Sequence, residues 1–479
     1  MNLVKPICIT LFTLLAGCAV GPEYQRPQLD IPENLNSLAS PVSGQTVSVD
    51  WLTWWKSFQD PALNHLLDET AAQNQDLLLA AARIQEAQAT VSIARSNRFP
   101  SVDGNAGASR AKTSQTTGKT PSGVQAINND FLLSATGSYE IDFWGKFSRA
   151  SEAARARLLA QQANAGTVRT TLYANVAQTY FALRANDAQV ELADATLKTR
   201  QENLRLQEKR LTAGSIGQQD FRQAEAEAAA AEISLAQAQQ NQALLEATLA
   251  VLVGRTPKEI SSPRIERGLT IDALHQRVAM PADLPADLLN RRPDILAAEQ
   301  NLIAANADIG QAKAQYFPSI KLTSGVGYES RVLSDLIDPS SLLWNLGVGL
   351  TQPIFRAGSI GALVQGAEAR QQQALAQYVQ TVQSAFRDVH DALVNLHADE
   401  KINQATLRRS AAVKETLRLV NLRYDSGYSG YLDVLNAQRD LFQVQSTAID
   451  IQRAQLTALV SLYKALGGGW ESTGNPAAQ

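Results

Sequence analysis

The sequence predicts an α+β fold that is mainly α. The chain is internally duplicated, its long coiled-coil helices form an α-barrel, and four β-strands contribute to a β-barrel shared between copies. Three observations predict this. The first is the repeat: Tyr139-Glu140-Ile141-Asp142-Phe143-Trp144-Gly145 lies 213 residues before Gln352-Pro353-Ile354-Phe355-Arg356-Ala357-Gly358, as Gly214, Gly217 and Asp220 lie before Gly427, Gly430 and Asp433. Upstream, Phe99-Pro100 matches Phe317-Pro318 at an offset of 218. The second is a Pro-free stretch from about Phe147 to Thr212. The third is four segments of about ten residues whose apolar residues alternate with period two. A repeat of this size means one unit doubled.

The N-terminus reads as a secretory signal. Lys5 precedes a short apolar run, Ile7 to Leu15, too short to span a bilayer. It ends in Leu15-Ala16-Gly17-Cys18, which is similar to a bacterial lipobox; cleavage there leaves Cys18 first and lipid-modified, with N-acyl and S-diacylglycerol groups. An ordinary signal peptide with a chance cysteine is the plain alternative. Of the two cysteines the other, Cys8, leaves with the signal, so the mature chain has no internal disulfide. The absence of Asp at Ala19 favours the outer membrane. Net charge is −3, so nothing asks for nucleic acid. Aromatics make up only 6% of the chain and Ala and Gln abound, which predicts packing through small residues and no large conventional core.

The organisation that follows is 1–17 signal peptide, 18–59 lipid-anchored extended segment, 60–279 first repeat, 280–468 second repeat and 469–479 tail. Asp60-Pro61 and Arg292-Pro293 read as helix starts with Pro at the first helical position.

The first strand, about Val102 to Arg110, sets Val102, Ala106 and Ala108 against Asp103, Asn105 and Ser109. The second faces Leu133, Ala135, Gly137, Tyr139, Ile141 and Phe143 one way. The third sets Ile320, Leu322, Val326 and Tyr328 against Lys321, Thr323 and Glu329. The fourth sets Leu342, Trp344, Leu346, Val348 and Leu350 against Asn345, Gly347, Gly349 and Thr351. These lengths suit tilted transmembrane strands, and Phe99, Phe131, Phe143, Trp144 and Phe317 stand near strand ends as an interfacial girdle. A half-buried soluble sheet would alternate in the same way. Polar loops, 111–130 and 331–341, join the pairs. Four strands cannot close a barrel, and open edges in lipid cost several kcal/mol per unpaired backbone group. Copies must therefore associate; the strands alone leave two or three open.

The helix after the second strand, interrupted only by Gly166, spans roughly 100 Å at ~1.5 Å per residue. Leu183, Val190, Leu197, Leu204 and Leu211 recur at sevens, as do Leu435, Phe442, Ile449, Leu456 and Tyr463, which predicts a coiled-coil seam. Ala and Gln between the seams suit a hollow cylinder; an ordinary long coiled coil is the alternative. Residues 254–292, with four prolines, are read together with Pro22 to Pro41 and the tail as a belt around the helices.

Catalysis finds no support. The four histidines are scattered without a zinc signature, Gly118-Lys119-Thr120 lacks the first phosphate-loop glycine, and Gly427-Tyr428-Ser429-Gly430 fails the nucleophile-elbow spacing. No enzyme activity, cofactor or metal is expected.

Taken together, the parts resemble the TolC-like outer-membrane efflux family in its OprM and NodT lipoprotein branch. Leu15-Ala16-Gly17-Cys18, Gly21-Pro22-Glu23-Tyr24, Trp54-Trp55 with Phe58, Tyr139 to Gly145 and above all Leu284 to Ile295 carry the resemblance. It implies a homotrimer with a 12-strand β-barrel in outer-membrane lipid and a periplasmic helical tunnel. It also implies a periplasmic adaptor and an inner-membrane transporter of the resistance-nodulation-division class as partners, with the channel a passive exit duct for drugs and other small toxic compounds. A duct for secreted polypeptides and a periplasmic coiled-coil scaffold are the alternatives. Two glycine tips would meet the adaptor: Arg210, Leu211, Gly214 and Gly217 in one, Arg423, Tyr424, Gly427 and Gly430 in the other. Their plain alternative is helix capping. The resemblance puts the entrance gate at Asp433, with Asn436 where relatives often carry a second acid and Asp220 as a latch partner. As a first-turn acid, Asp433 would otherwise only face the helix dipole.

Overall fold

A computed structural model describes residues 19–32, 46–47, 50–114, 127–277, 280–281 and 290–471. The signal peptide, Cys18 and Leu284 to Leu289 lie outside the described residues. The chain divides into two units, one of residues 1–28, 84–161 and 298–378, the other of 29–83, 162–297 and 379–479.

The strands are β1 (Thr46–Val47), β2 (Ser101–Lys112), β3 (Ile127–Ile141), β4 (Met280–Pro281), β5 (Ser319–Ser330) and β6 (Leu342–Thr351). The helices are α1 (Pro61–Gln73), α2 (Gln75–Ser96), α3 (Lys146–Thr212), α4 (Gln218–Val253), α5 (Pro257–Ile260) and α6 (Ile271–His275). They continue with α7 (Pro293–Lys313), α8 (Ser359–Asp425) and α9 (Tyr431–Ala465).

In the first unit, four antiparallel strands form one sheet in the order β2-β3-β5-β6. All four expected strands are present, and β2 and β3 run longer than expected, into the predicted loop 111–130. The apolar face of β6 is not covered: Trp344, Leu346, Val348 and Leu350 are each 68–75% exposed. At the foot of the sheet Trp144 stacks on Phe317 at 4.5 Å and donates from Nε1 to the Pro318 carbonyl at 2.8 Å. The Asp142 carboxylate accepts from the Phe147 and Ser148 amides, and so opens α3. Below it, α3 and α7 meet through Ala153, Ala156, Ala304 and Ala307. Residues this small let helix backbones approach closely, as the composition predicts.

Residues 19–26, which include the start of the proline-rich stretch Pro22 to Pro41, lie along α3 and α7 of the first unit. Val20 donates to the Trp144 carbonyl, Gly21 passes against Gly310, and Asn306 donates to the Pro22 carbonyl at 2.8 Å. Glu23 pairs with Arg149 at 2.6 Å, and Tyr24 and Arg26 both engage Glu299. Gly21 has φ +121° and faces the Gly310 backbone, so no side chain fits there.

In the second unit the low aromatic content conceals a real core. The 3-10 turn Trp51–Phe58 sets Trp54 on Tyr463 (5.3 Å, 19°), Trp55 against Tyr173 and Phe58 against Phe181. Asp60, fully buried, caps α1: its Oδ1 accepts from Ala62 and Leu63, and its Oδ2 from the Tyr180 hydroxyl and the Leu269 amide. Pro61 takes the first helical position, and Pro293 does the same in α7. Arg292 ties the start of α7 to Asp388 of α8 and to the Ala465 carbonyl ending α9. Gly166 does not interrupt α3. Helix continues through it, and its missing Cβ makes room for the Trp470 ring. Residues 254–277 pack on the helices, with Arg255 bidentate to Glu69 and Arg267 on Asp187 and Glu246.

Candidate functional site

Both tips are helix-to-helix turns of the same construction. At the first, α3 ends with Gly214 at φ +71°; the Gly214 amide donates to Leu211 and the Ser215 amide to Arg210. At the second, α8 ends with Gly427 at φ +79°; the Gly427 amide donates to Tyr424 and the Tyr428 amide to Arg423. These paired bonds satisfy the last helical carbonyls and require a left-handed residue, for which glycine carries no steric cost. So Gly214 and Gly427 do cap helices, as the plain alternative holds.

Gly217 and Gly430 are different. They are the N-caps of α4 and α9, with φ near −80° and ψ near 162°, backbone that any residue adopts. A methyl group added at either would meet no atom within 4 Å. Ser, Thr, Asp or Asn would cap these helices better. Nothing among the described residues accounts for glycine there.

The two tips are brought together by Arg210, which donates to the Tyr424 hydroxyl at 2.6 Å and covers its ring. Tyr424 in turn packs on Tyr431, beside Ala224, Val434 and Leu435. Burial, then the Tyr424 phenol and Glu227, push the Tyr431 phenol up against the pull of Arg200. Leu211 is half-buried, while Arg423, Gly214, Gly217, Gly427 and Gly430 are exposed. Tyr428, which the sequence reading did not single out, is 79% exposed at the second tip.

Asp433 and Asn436 are both exposed on the first turns of α9. Asp433 occupies the third helical position, as Asp220 does on α4, and the two acids are equivalent by the repeat. Asp220 is half-buried.

One cluster was missed. The deepest stripe of the distal part of α3 is Ala193, Arg200 and Gln207, three residues on from Val190, Leu197 and Leu204, which are only half-buried. Arg200, with its side chain 5% exposed, faces Glu227 of α4 at 3.5 Å and bonds to Gln438 of α9. Glu227 also takes Arg439. Burial holds the Arg200 guanidinium below the ordinary arginine value, against the opposite pull of Glu227. A groove of about 400 Å³ runs beside this knot, lined by Thr196, Phe442 and Gln443 among others. The available signal was the seven-residue spacing of 193, 200 and 207, hidden because two of the three residues are polar.

Among the described residues no cluster of acids, histidines or cysteines could hold a metal, and no helix is long and apolar enough to cross a membrane.

Comparison with known proteins agrees with this architecture. A family model for outer membrane efflux protein matches residues 66–255 and 284–468. The cation efflux system protein CusC of Escherichia coli is 34% identical over 466 residues, covering 97% of this chain and 98% of that protein. The solvent efflux pump outer membrane protein SrpC of Pseudomonas putida is also 34% identical, covering 98% and 99%. The crystal structure of the Campylobacter jejuni CmeC outer membrane channel superposes with a TM-score of 0.90 at 26% identity, covering 96% and 97%.

Proposed function

The chain belongs to the outer membrane efflux protein family, and we propose that three copies of it form the exit duct of a tripartite pump. It is an outer-membrane efflux channel. The observation that carries the assembly is the sheet. Its edge strand β6 turns Trp344, Leu346, Val348 and Leu350 outward, each largely exposed, and among the described residues neither edge strand, β2 or β6, has a further partner. Apolar side chains this exposed are at home in lipid, and open edges there must be paired. Three copies give twelve strands, wide enough for a water-filled bore.

Cys18 is the lipid-anchoring residue in this reading, carrying N-acyl and S-diacylglycerol groups. The duct is passive, does no chemistry and needs no cofactor; an inner-membrane transporter of the resistance-nodulation-division class supplies the energy. A periplasmic adaptor docks on the two tips, supported by the exposed Gly217 and Gly430 that the chain itself does not require. Their missing side chains leave room for another backbone to approach closely. CusC is named for cations and SrpC for solvents, so relatedness of this degree does not fix the cargo; small toxic compounds are the class proposed here.

Electron microscopy of the detergent-extracted protein tests the assembly. Threefold hollow particles are expected, and water-soluble monomers would overturn it. For the adaptor, Gly217→Ser and Gly430→Ser should leave the melting temperature unchanged or slightly raised while weakening in-cell cross-linking to a periplasmic adaptor. Unaltered cross-linking would leave the glycines without that role.

A further inference from the structure

The outward face of the first hairpin ends in two bases. Val102 pairs with Gly137 and Ala106 with Leu133, so the even-numbered residues of β2 share the face that carries Leu133, Ala135 and Tyr139. That face of β2 reads Val102, Gly104, Ala106, Ala108, Arg110, Lys112, and every one of them is exposed. At about 3.4 Å per residue along a strand tilted by about 40°, Arg110 and Lys112 stand roughly 21 and 26 Å above Val102. The apolar band of an outer-membrane barrel is about 25 Å tall. The two bases therefore sit at its outer boundary, at the loop end of the hairpin.

Among the described residues nothing neutralises them. From Gly104 to Asn129 the sequence holds Arg110, Lys112 and Lys119 and no acid. Across the ladder Arg110 faces Asn129 and Lys112 faces Ile127. Asp130 pairs with Ser109 and so lies on the opposite face. In the loop of the second hairpin, Asp335 is engaged by Ser334 and Asp338 by Ser340.

The fold does not require these charges. The repeat offsets carry the pair Arg110↔Asn129 onto Tyr328↔Leu342, and both pairs are observed. Where the first hairpin has Arg110 and Lys112, the second has Tyr328 and Ser330. The same strand is thus built at the same height without a base. Lysine on an edge strand can guard against wrong pairing, but in a shared barrel β2 is no longer an edge.

Resting on the shared-barrel reading, we propose that Arg110 and Lys112 bind the phosphate groups of a phosphorylated glycolipid in the outer leaflet, one site per copy. Two residues apart on one face, their Cα atoms are separated by about 7 Å, so both side chains reach one headgroup. Arginine offers phosphate oxygens a fork of N–H donors and lysine a point charge. The stems of both lie on apolar surface while the charges reach the polar layer. Directly below, Ala106 and Ala108 pair with Leu133 and Phe131 and continue the apolar face down the strand. An acyl chain hanging from the headgroup would lie on that face, which selects a lipid over free phosphate.

Native mass spectrometry of the full-length trimer in detergent, titrated with bisphosphorylated lipid A, tests this. A base beside an anionic lipid surface is worth roughly fivefold in affinity. Arg110→Tyr with Lys112→Ser, which copies the second hairpin, should therefore weaken binding roughly 25-fold. Arg110→Lys with Lys112→Arg should keep it. Dephosphorylated lipid A should bind the parent as weakly as intact lipid A binds the neutral variant. Equal retention of lipid A by the parent and the neutral variant overturns the proposal, and so does equal retention of the two lipid A forms by the parent. Phosphatidylglycerol held as tightly as lipid A overturns the assignment to a glycolipid of the outer leaflet. Extracted protein that forms no trimer before lipid is added overturns the barrel reading instead.

Discussion

Glu227→Gln is the sharpest test of the knot that joins α3, α4 and α9. Glu227 is mostly buried and sits between Arg200, whose side chain is only 5% exposed, and Arg439, which is half-exposed. Removing one partner of a buried ion pair costs about 3–5 kcal/mol, because the other charge stays behind without compensation. Three features reduce that figure here. The Arg200–Glu227 contact is long at 3.5 Å, Gln438 still accepts from Arg200, and the neighbouring groove admits water. The share of Arg439 is a surface pair worth about 0–1 kcal/mol. The expected loss is therefore about 1.5–3 kcal/mol, which in a chain of 479 residues is a fall in melting temperature on the order of 1.5–3 °C. Circular dichroism of the detergent-solubilised protein reads it. Arg200→Met added to Glu227→Gln removes the stranded charge and should recover most of the loss. A single variant that melts with the parent, or a double variant worse than the single, would refute an electrostatic knot at this point.

Three further expectations follow from the same structure. Asp60→Asn presents an amide N–H₂ either to the Tyr180 and Leu269 donors or to the Ala62 and Leu63 donors, so at least one buried N–H loses its acceptor. The cost should be about 2–3 kcal/mol, and denaturant unfolding within experimental error of the parent would contradict it. Burial, then the Asp60 carboxylate, push the Tyr180 phenol up. A raised folded-state value gives stability that is whole below the unfolded value of about 10 and lost as pH rises beyond it. The fall in melting temperature between pH 9 and 11 should thus be shallower in Tyr180→Phe; parallel curves would remove Tyr180 from the alkaline transition. At the proposed entrance, Asp433→Ala should raise single-channel conductance in bilayers and weaken block by divalent cations, because three symmetry-related carboxylates would form the ring. Unchanged conductance and block would leave Asp433 as a helix-start acid.

Much of this was legible in the sequence, for reasons that can be named. Strand alternation is a local signal, and β5 and β6 alternate cleanly because one face meets lipid. Long helices were legible because Pro is absent and both glycine tips recur at one offset. Long-range contacts were not. Gly166 reads as a helix breaker until Trp470, some three hundred residues on, is seen filling the space its side chain would take. Nothing in the sequence of residues 19–26 names their neighbours, and only Arg149, Glu299 and Asn306 reveal that they run along α3 and α7. The aromatic core was overlooked because a count over the whole chain dilutes residues that gather at one place, Trp54, Trp55, Phe58, Tyr180, Phe181 and Tyr463.

The polar seam of α3 gives the tips a physical character. Between residues 172 and 183 the buried side of α3 is Leu172, Tyr173, Val176, Tyr180, Phe181 and Leu183, all but excluded from water. Nearer Gly214 the equivalent stripe becomes Ala193, Arg200 and Gln207, and Gln207 Oε1 is buried without a partner. Apolar burial stabilises at about 25 cal/mol per Å², whereas buried polar groups yield little net once their desolvation is counted. The same helix is thus firmly held along one stretch and weakly held along another. Segments with few apolar contacts open at lower free energy than the whole fold. Beside the small cluster around Tyr431, Val434 and Leu435, Arg210 on Tyr424 and Glu227 between its two arginines hold that weaker stretch by directional bonds, which a docking partner could exchange for its own without disturbing the aromatic core. If the tips receive an adaptor and the acids beside them guard an entrance, polar packing near the tips lets that entrance loosen while the apolar stretch stays closed. An apolar seam there would make a stiffer helix and a duct harder to open.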